Sequence, residues 1–410
     1  MLFRSHHSAL FILGVALTFL TLASCNDDLP QPGEKLKGNT VIVYMGAENS
    51  LAETLHHPDL SLEDLNEMKK AAHDIPEDCQ VVVYRDAKLK PIIYHITQQG
   101  MTTWKEYPNE MDSADPANME NILEEIIQEF PSEKYSLVLW SHGSGWMDDP
   151  NKSRAIIVDN NNNTDSDIGN WLNINELSDI LASLPRMEYI FFDACYMQSV
   201  EVASQLYKHT PYIIGSPTEI PGEGAPYHHI MGALCQAKPQ EIINGYASYY
   251  GTSKGVLLSA VSCADFPAFC TETAKYIPSA FSKEDMPKTA GIQIYAPAFG
   301  TSSSTQNDMP VPYDMRSAMY RALSEEDFAA WEIAWKKTIL YPTWAESWES
   351  SYRDSYGKNY GPFHRTMQDP EHYGGISMNI PNEKYDSKGW NAQFRLTPWY
   401  SMTSWEQTGW

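Results

Sequence analysis

Tyr189-Ile-Phe-Phe-Asp-Ala-Cys-Tyr-Met197 carries a run of strand-forming residues into a cysteine, and the earlier Tyr135-Ser-Leu-Val-Leu-Trp-Ser-His-Gly143 carries a similar run into a His-Gly pair. Both apolar stretches read as buried strands. Cys195 and His142 would then surface where strands open into loops, the edge at which open α/β sheets place ligands and chemistry. The pairing proposes a thiol nucleophile and its base, so a cysteine hydrolase is the leading reading.

Outward from these stretches, strand-like runs recur at 41–45, 81–84, 213–214 and 256–261, with the two above centred on 137–140 and 190–192. Segments with helical spacing fall between them at 60–72, 119–130, 175–184 and 199–207. Such alternation predicts an α/β fold with a mainly parallel sheet covered by helices on both faces. The core is expected over 40–290, followed by a C-terminal extension, 291–410, packed on it. That extension holds eight of the twelve tryptophans. Two further strand-like pieces, 291–295 and 375–380, flank a helix that Ser324 and Asp327 would cap. Trp331 and Trp335, four apart on that helix, suit packing against the sheet; an aromatic surface for sugar or peptide is the alternative.

Arg4 precedes an apolar stretch, 9–22, that is too short to span a bilayer, so residues 1–24 read as a secretory signal. The stretch ends Leu22-Ala23-Ser24-Cys25, which resembles a bacterial lipobox, in which the cysteine thiol is lipidated after cleavage. Asn26, Asp27 and Asp28 resemble the export tags of some Gram-negative lipoproteins. The expectation is a secreted protein anchored through Cys25 at the outer membrane or cell surface, with 25–39 as a flexible tether.

Removing residues 1–24 takes away Arg4 and no acid, which moves the net charge from -24 to -25. That balance argues against nucleic-acid binding and leaves cationic partners open. With Cys25 acylated, Cys79, Cys195, Cys235, Cys263 and Cys270 remain, an odd number without CxxC spacing, so a disulfide framework is not expected.

A thiol is a weak nucleophile until it becomes a thiolate. A helix beginning just beyond Cys195 would aim its N-terminal dipole at the sulfur and lower its pKa. His142 would take the thiol proton and return it to the leaving amine, while the N–H groups of Gly143 and Cys195 would stabilise the oxyanion. This chemistry requires no cofactor.

Ser141-His-Gly-Ser-Gly-Trp146, Asp193-Ala-Cys-Tyr-Met197 and Val200-Glu-Val-Ala203 together resemble the clostripain family of cysteine peptidases, relatives of caspases, legumains and gingipains. The likeness runs from about Val41 through Ser216-Pro-Thr-Glu-Ile-Pro-Gly-Glu-Gly224 to the Trp-rich end. It implies a caspase-like α/β/α sandwich and an endopeptidase cleaving protein or peptide substrates after arginine or lysine, with Cys195 as nucleophile and His142 as base. Asp193 inherits the role of binding the basic P1 side chain, and Glu223 is the better candidate for a second pocket carboxylate. Ala225 departs from the aromatic residue usual after the Gly-x-Gly, which puts the P1 preference in question. His228 and His229 fall nearby as rival bases.

Relatives are often made as inactive precursors that cut themselves between the two motifs. Lys152 and Arg154 are the candidate self-cleavage positions in the 147–173 loop. The following Asp159-Asn-Asn-Asn-Asn-Thr-Asp-Ser-Asp167 resembles the opening of a calcium loop, but Thr164 and Asn170 stand where an EF-hand needs glycine and glutamate. Asp159, Asp165 and Asp167 are therefore weak calcium candidates. Because clostripain-like enzymes can depend on calcium, Ca2+ remains a ligand to test. From a different class, the fold would serve as a catalytically silent surface lipoprotein that binds peptide or glycan; the presence of both His142 and Cys195 favours the peptidase.

Overall fold

Valine, isoleucine and tyrosine dominate Asn39–Gly46 (β1) and Cys79–Asp86 (β2), the composition of strands buried on both faces. In the computed structural model, which describes residues 36–52, 58–88, 90–149, 152–153, 156–160, 169–286, 289–295, 310–353 and 359–410, they are neighbours in a nine-stranded sheet. Its other strands are Ile92–Thr97 (β3), Gly100–Glu106 (β4), Tyr135–Trp140 (β5), Met187–Asp193 (β6), Tyr212–Gly215 (β7), Ser259–Ser262 (β8) and Ile339–Leu340 (β9). The order is β9-β8-β7-β6-β5-β1-β2-β3-β4. The central five, β7-β6-β5-β1-β2, run parallel, and antiparallel strands extend both sides. This is the mainly parallel α/β sheet that the alternation predicts.

Period-two alternation divides the strand residues between two cores. Val41, Val43, Val81, Val83, Trp140 and Phe191 face one side, with the helices Leu60–Lys70 (α1), Tyr227–Cys235 and Pro239–Lys254 over them. Ile42, Tyr44, Val82, Tyr84, Leu139 and Phe192 face the other, beneath Pro116–Glu129 (α2), Ile174–Ser183 (α3) and Val200–Leu206 (α4). Helix α2 starts at Pro116, before the apolar spacing begins at 119, because Asp115 caps the N–H groups of Ala117 and Asn118 and proline is tolerated in a first turn.

The expected strand at 256–261 pairs only from Ser259, since the Leu258 N–H donates to Thr343 Oγ1 (2.7 Å) instead of to a ladder. Residues 291–295 make one isolated bridge, Ile294 to Tyr313, and only Ser377–Asn379 of 375–380 pairs, with Pro312–Asp314. β9, close to the edge of the Trp-rich region, belongs to the central sheet itself.

Ser324 caps the helix Glu325–Thr338 through the Asp327 N–H, as its sequence predicts. Of the eight late tryptophans, seven are buried and Trp344 is 58% exposed, which makes this region core more than a binding platform. Trp331 packs against Phe269 and Phe328, and its Nε1 donates to Thr273 Oγ1 (3.0 Å). Trp331→Ala should therefore cost about 3–5 kcal/mol of stability in denaturant unfolding. A change within ±0.5 kcal/mol would mean that the helix is peripheral.

Residues 1–35, on which the expected signal segment and the lipidation of Cys25 fall, lie outside the described residues. Among the described residues no helix is long and apolar enough to cross a membrane.

Candidate active site

Register places the site. Met45 pairs with Trp140 and Trp140 with Asp193, so β1, β5 and β6 end level at the carboxyl edge of the sheet. His142 and Cys195 each stand two residues past adjacent parallel strands, and their backbones meet on one rim. A Cβ built on Gly143 would lie 2.5 Å from the Cys195 carbonyl oxygen and 3.0 Å from both Ala194 Cβ and Met197 Sδ. Only glycine lets the histidine loop approach the cysteine loop so closely. Gly143→Ala should displace the Cys195 backbone, costing about 1–3 kcal/mol in thermal unfolding and activity with it; an unperturbed variant would contradict this packing.

The rim around the two loops carries strain. Tyr196, directly after the cysteine, has φ 62° with its N–H donating to the Thr218 carbonyl (2.9 Å). Ile157 has φ 59°, costly for a branched residue, and its N–H donates to the His142 carbonyl (3.3 Å). The His142 Nε2 lies 2.9 Å from Ser50 Oγ, on the loop that follows β1.

The thiol environment differs from the expected one. Helix α4 begins only at Val200, five residues beyond Cys195, and Ser199 Oγ accepts from the Val202 N–H in its first turn. Burial pushes the Cys195 thiol up to about 12, and the charges of Glu219 and Asp193 push the same way, against an N–H of Ile220 3.4 Å from Sγ. Iodoacetamide should label Cys195 slowly at pH 7 in the uncut chain and increasingly as pH rises toward 12; rapid labelling at pH 6 would show a preformed thiolate.

On the α1 side of the sheet Asp193 is buried, and its Oδ2 accepts from the Ala225 N–H (3.0 Å) and the Tyr227 hydroxyl (2.9 Å). A second carboxylate, unforeseen in the sequence, stands beside it. Asp64 of α1 is 1% exposed and accepts from Trp140 Nε1 at 2.6 Å. A Cβ on Gly224 (φ 67°) would meet Asp64 Oδ2 at 2.8 Å and Asp193 Oδ2 at 3.1 Å. Burial raises both carboxyls above the usual range; Asp193 and Glu67 raise Asp64 further, while the hydrogen bonds oppose the rise at Asp193. The sequence signal for Asp64 is an acid four residues before Met68 on the buried face of an amphipathic helix.

Glu223, by contrast, is paired with Lys254 near the surface. Ala225 is fully buried, and its N–H serves Asp193. His228 Nδ1 lies 2.8 Å from Glu67 Oε2 on α1. Lys152 belongs to a short hairpin with Asp149, while Arg154, Asp165 and Asp167 lie outside the described residues. Asp159 is fully buried at the end of the strand Ile156–Asp159, with its Oδ2 held by the N–H (2.6 Å) and hydroxyl (2.9 Å) of Ser113. Among the described residues the cysteines are free thiols.

A caspase-like α/β/α sheet with histidine and cysteine on adjacent strand ends defines the scaffold class of the clan of cysteine peptidases. Over residues 43–410 the chain matches the clostripain family, and it belongs to that family. Clostripain of Hathewaya histolytica is 25% identical over 192 residues, 40% of this chain and 35% of that protein, so the match spans about a third of the relative's length. A secreted cysteine protease of Bacteroides thetaiotaomicron, solved with an irreversible peptide inhibitor, superposes with a TM-score of 0.75 at 25% identity, covering 90% of this chain and 99% of that one. An inactive zymogen protease of Parabacteroides distasonis shares the fold, with a TM-score of 0.70 at 22% identity over 90% and 99% of the two chains.

Proposed function

We propose that the chain is a cysteine endopeptidase that cleaves proteins or peptides after basic P1 residues. The observation that carries the specificity is the buried Asp193 and Asp64 pair flanking Gly224. Two carboxylates removed from water, whose neighbour Glu67 is also negative, are stabilised by an entering guanidinium or ammonium. Two oxygens from different elements suit the fork of arginine better than the point charge of lysine. Glu223 would contribute once a substrate displaces Lys254.

In this reading His142 removes the Cys195 proton as sulfur attacks the scissile carbonyl, and the C–N bond breaks as His142 returns that proton to the amine. Water then cleaves the thioester and restores the thiol. The Gly143 and Cys195 N–H groups would hold the oxyanion. The high thiol pKa supports a latent precursor, and the Parabacteroides relative was solved as an inactive zymogen. Cleavage after Lys152 or Arg154 would release the strained rim. The N-terminal 25 residues and a secreted relative support export, with a lipid on Cys25 as the anchor.

Hydrolysis of fluorogenic peptides with P1 Arg, Lys, Asp, Asn and Leu, by the full chain and by Cys195→Ala, tests the proposal. Cleavage confined to Arg and Lys and absent from the mutant is expected. Cleavage after Asp, Asn or Leu would remove the pocket assignment, and silence even after limited trypsin nicking would leave a binding module.

A further inference from the structure

Gln198 follows the nucleophile within the same loop, is buried, and is hydrogen-bonded through its N–H, its carbonyl and its side chain. Its N–H donates to the Ser216 carbonyl (3.0 Å) and the Tyr196 N–H to that of Thr218 (2.9 Å), so the segment 196–198 runs antiparallel to 216–218. Its carbonyl accepts from the N–H (3.0 Å) and the hydroxyl (3.2 Å) of Ser377. Its side-chain Nε2 donates to the carbonyl (3.1 Å) and the hydroxyl (2.8 Å) of Ser259 in β8, and Ser259 Oγ in turn donates to the Gly375 carbonyl (2.7 Å). Further along, buried Glu201 of α4 accepts from the Asn379 N–H at Oε1 (2.7 Å). The nucleophile loop is therefore tied to the strand Ser377–Asn379, 178 and 179 positions later in the chain.

Space is kept for this arrangement, since a Cβ on Gly215, the last residue of β7, would stand 3.2 Å from Gln198 Oε1. A methionine would fill a similar volume, so packing alone does not require an amide here. A buried amide is retained where its hydrogen bonds offset its desolvation.

We propose that Gln198 is a positioning residue of the cysteine peptidase, its side-chain amide holding the strained turn at Cys195 to β8 and the C-terminal strand. For its effect on activity the proposal rests on the peptidase reading; for its effect on the thiol it rests on geometry alone. Tyr196 has φ 62°, a conformation that persists only where the surroundings over-determine it. One set of ties is the pairing with 216–218, whose neighbour Ile220 places its N–H 3.4 Å from Sγ. The other is the Nε2 contact with Ser259, which is anchored because β8 pairs with β7 in the central sheet. Without that contact the turn is free to relax toward negative φ, carrying Sγ away from the Ile220 N–H and from the rim shared with Gly143. A displacement of about 1 Å at a reacting atom is enough to cost about a hundredfold in rate.

Gln198→Met in the full chain, alone and combined with Ser259→Ala, provides the test, with hydrolysis of the P1-arginine peptide and iodoacetamide labelling of each cysteine read together. For Gln198→Met, kcat is expected to fall about ten- to a hundredfold with KM within about twofold, because the residue acts through Cys195 and not on substrate. Labelling of Cys195 at pH 8 is expected to rise at least about threefold as the turn opens, while that of buried Cys79 and Cys270 stays as in the native chain. General loosening of the fold would raise all three together. Ser259→Ala should also lower kcat, and the double variant should lose less than the product of the two single losses, because both cut one tie. Unchanged kcat, a change confined to KM, single losses that simply multiply, unchanged Cys195 labelling, or labelling that rises equally at Cys79 and Cys270 would overturn the proposal. A native chain silent toward every peptide, even after nicking, would remove the peptidase reading instead, and the labelling pattern would still decide whether Gln198 holds the turn.

Discussion

Replacing Cys195 with alanine is expected to reduce peptide hydrolysis to background, and His142→Ala to lower kcat/KM by about 10^3-fold, with little change in thermal midpoint. The reason is positional. Both residues lie past the ends of adjacent parallel strands whose register is set by Trp140 opposite Asp193, so neither side chain holds the sheet together. The effect of His142→Ala should fall on kcat, because the imidazole moves a proton in the transition state without carrying substrate affinity. A variant losing activity only through KM would place His142 in the substrate pocket and leave the base unassigned. His228, paired with Glu67, is expected to tolerate glutamine with less than about a threefold loss.

Asp193→Asn and Asp64→Asn should each lower kcat/KM for P1 arginine by about 10^2- to 10^3-fold, since cutting one partner from a buried charged contact costs about 2–5 kcal/mol. Cleavage after uncharged P1 residues should not fall in parallel. The pH dependence follows from the same burial. Both carboxyls titrate above their ordinary range and are charged only above their raised pKa, so affinity for a cationic P1 side chain is present above it and lost as pH falls through it. KM for arginine substrates should therefore rise as pH falls through about 6, the raised value of Asp193, and flatten in Asp193→Asn. A KM independent of pH in the native chain would contradict a carboxylate pocket.

Much of this was legible in the sequence. Apolar runs such as 41–45 and 137–140 declare strands buried on both faces, because parallel strands under two helical layers have no polar side to show. His142-Gly143 and Ala194-Cys195 are visible because the chemistry needs those residues just past a strand. Asp193 is visible because it shares a strand with the nucleophile. Asp64 is harder to see: its place with Leu65 and Met68 on the buried helix face sets it apart from Glu63 and Glu67, but it approaches Asp193 from a helix 129 positions away, which no local pattern shows. The buried carboxylates Glu48, Asp86 and Asp159, gathered within 4.8 Å of one another, escaped for the same reason. A contiguous calcium loop at 159–170 is a local pattern, whereas Glu48, Asp86 and Asp159 meet only once three strands align at one edge. The thiol's environment likewise depends on Glu219 and on burial, neither of which follows from the residues beside Cys195.

Intact-mass analysis and peptide mapping after treatment with an arginine-directed acyloxymethyl ketone test the central claim most directly. One adduct per chain on Cys195 is predicted, abolished in Cys195→Ala and strongly slowed when Asp64 and Asp193 are both replaced by asparagine. An adduct on another cysteine, or equal labelling by a leucine-directed reagent, would contradict a Cys195 nucleophile served by an acidic P1 pocket.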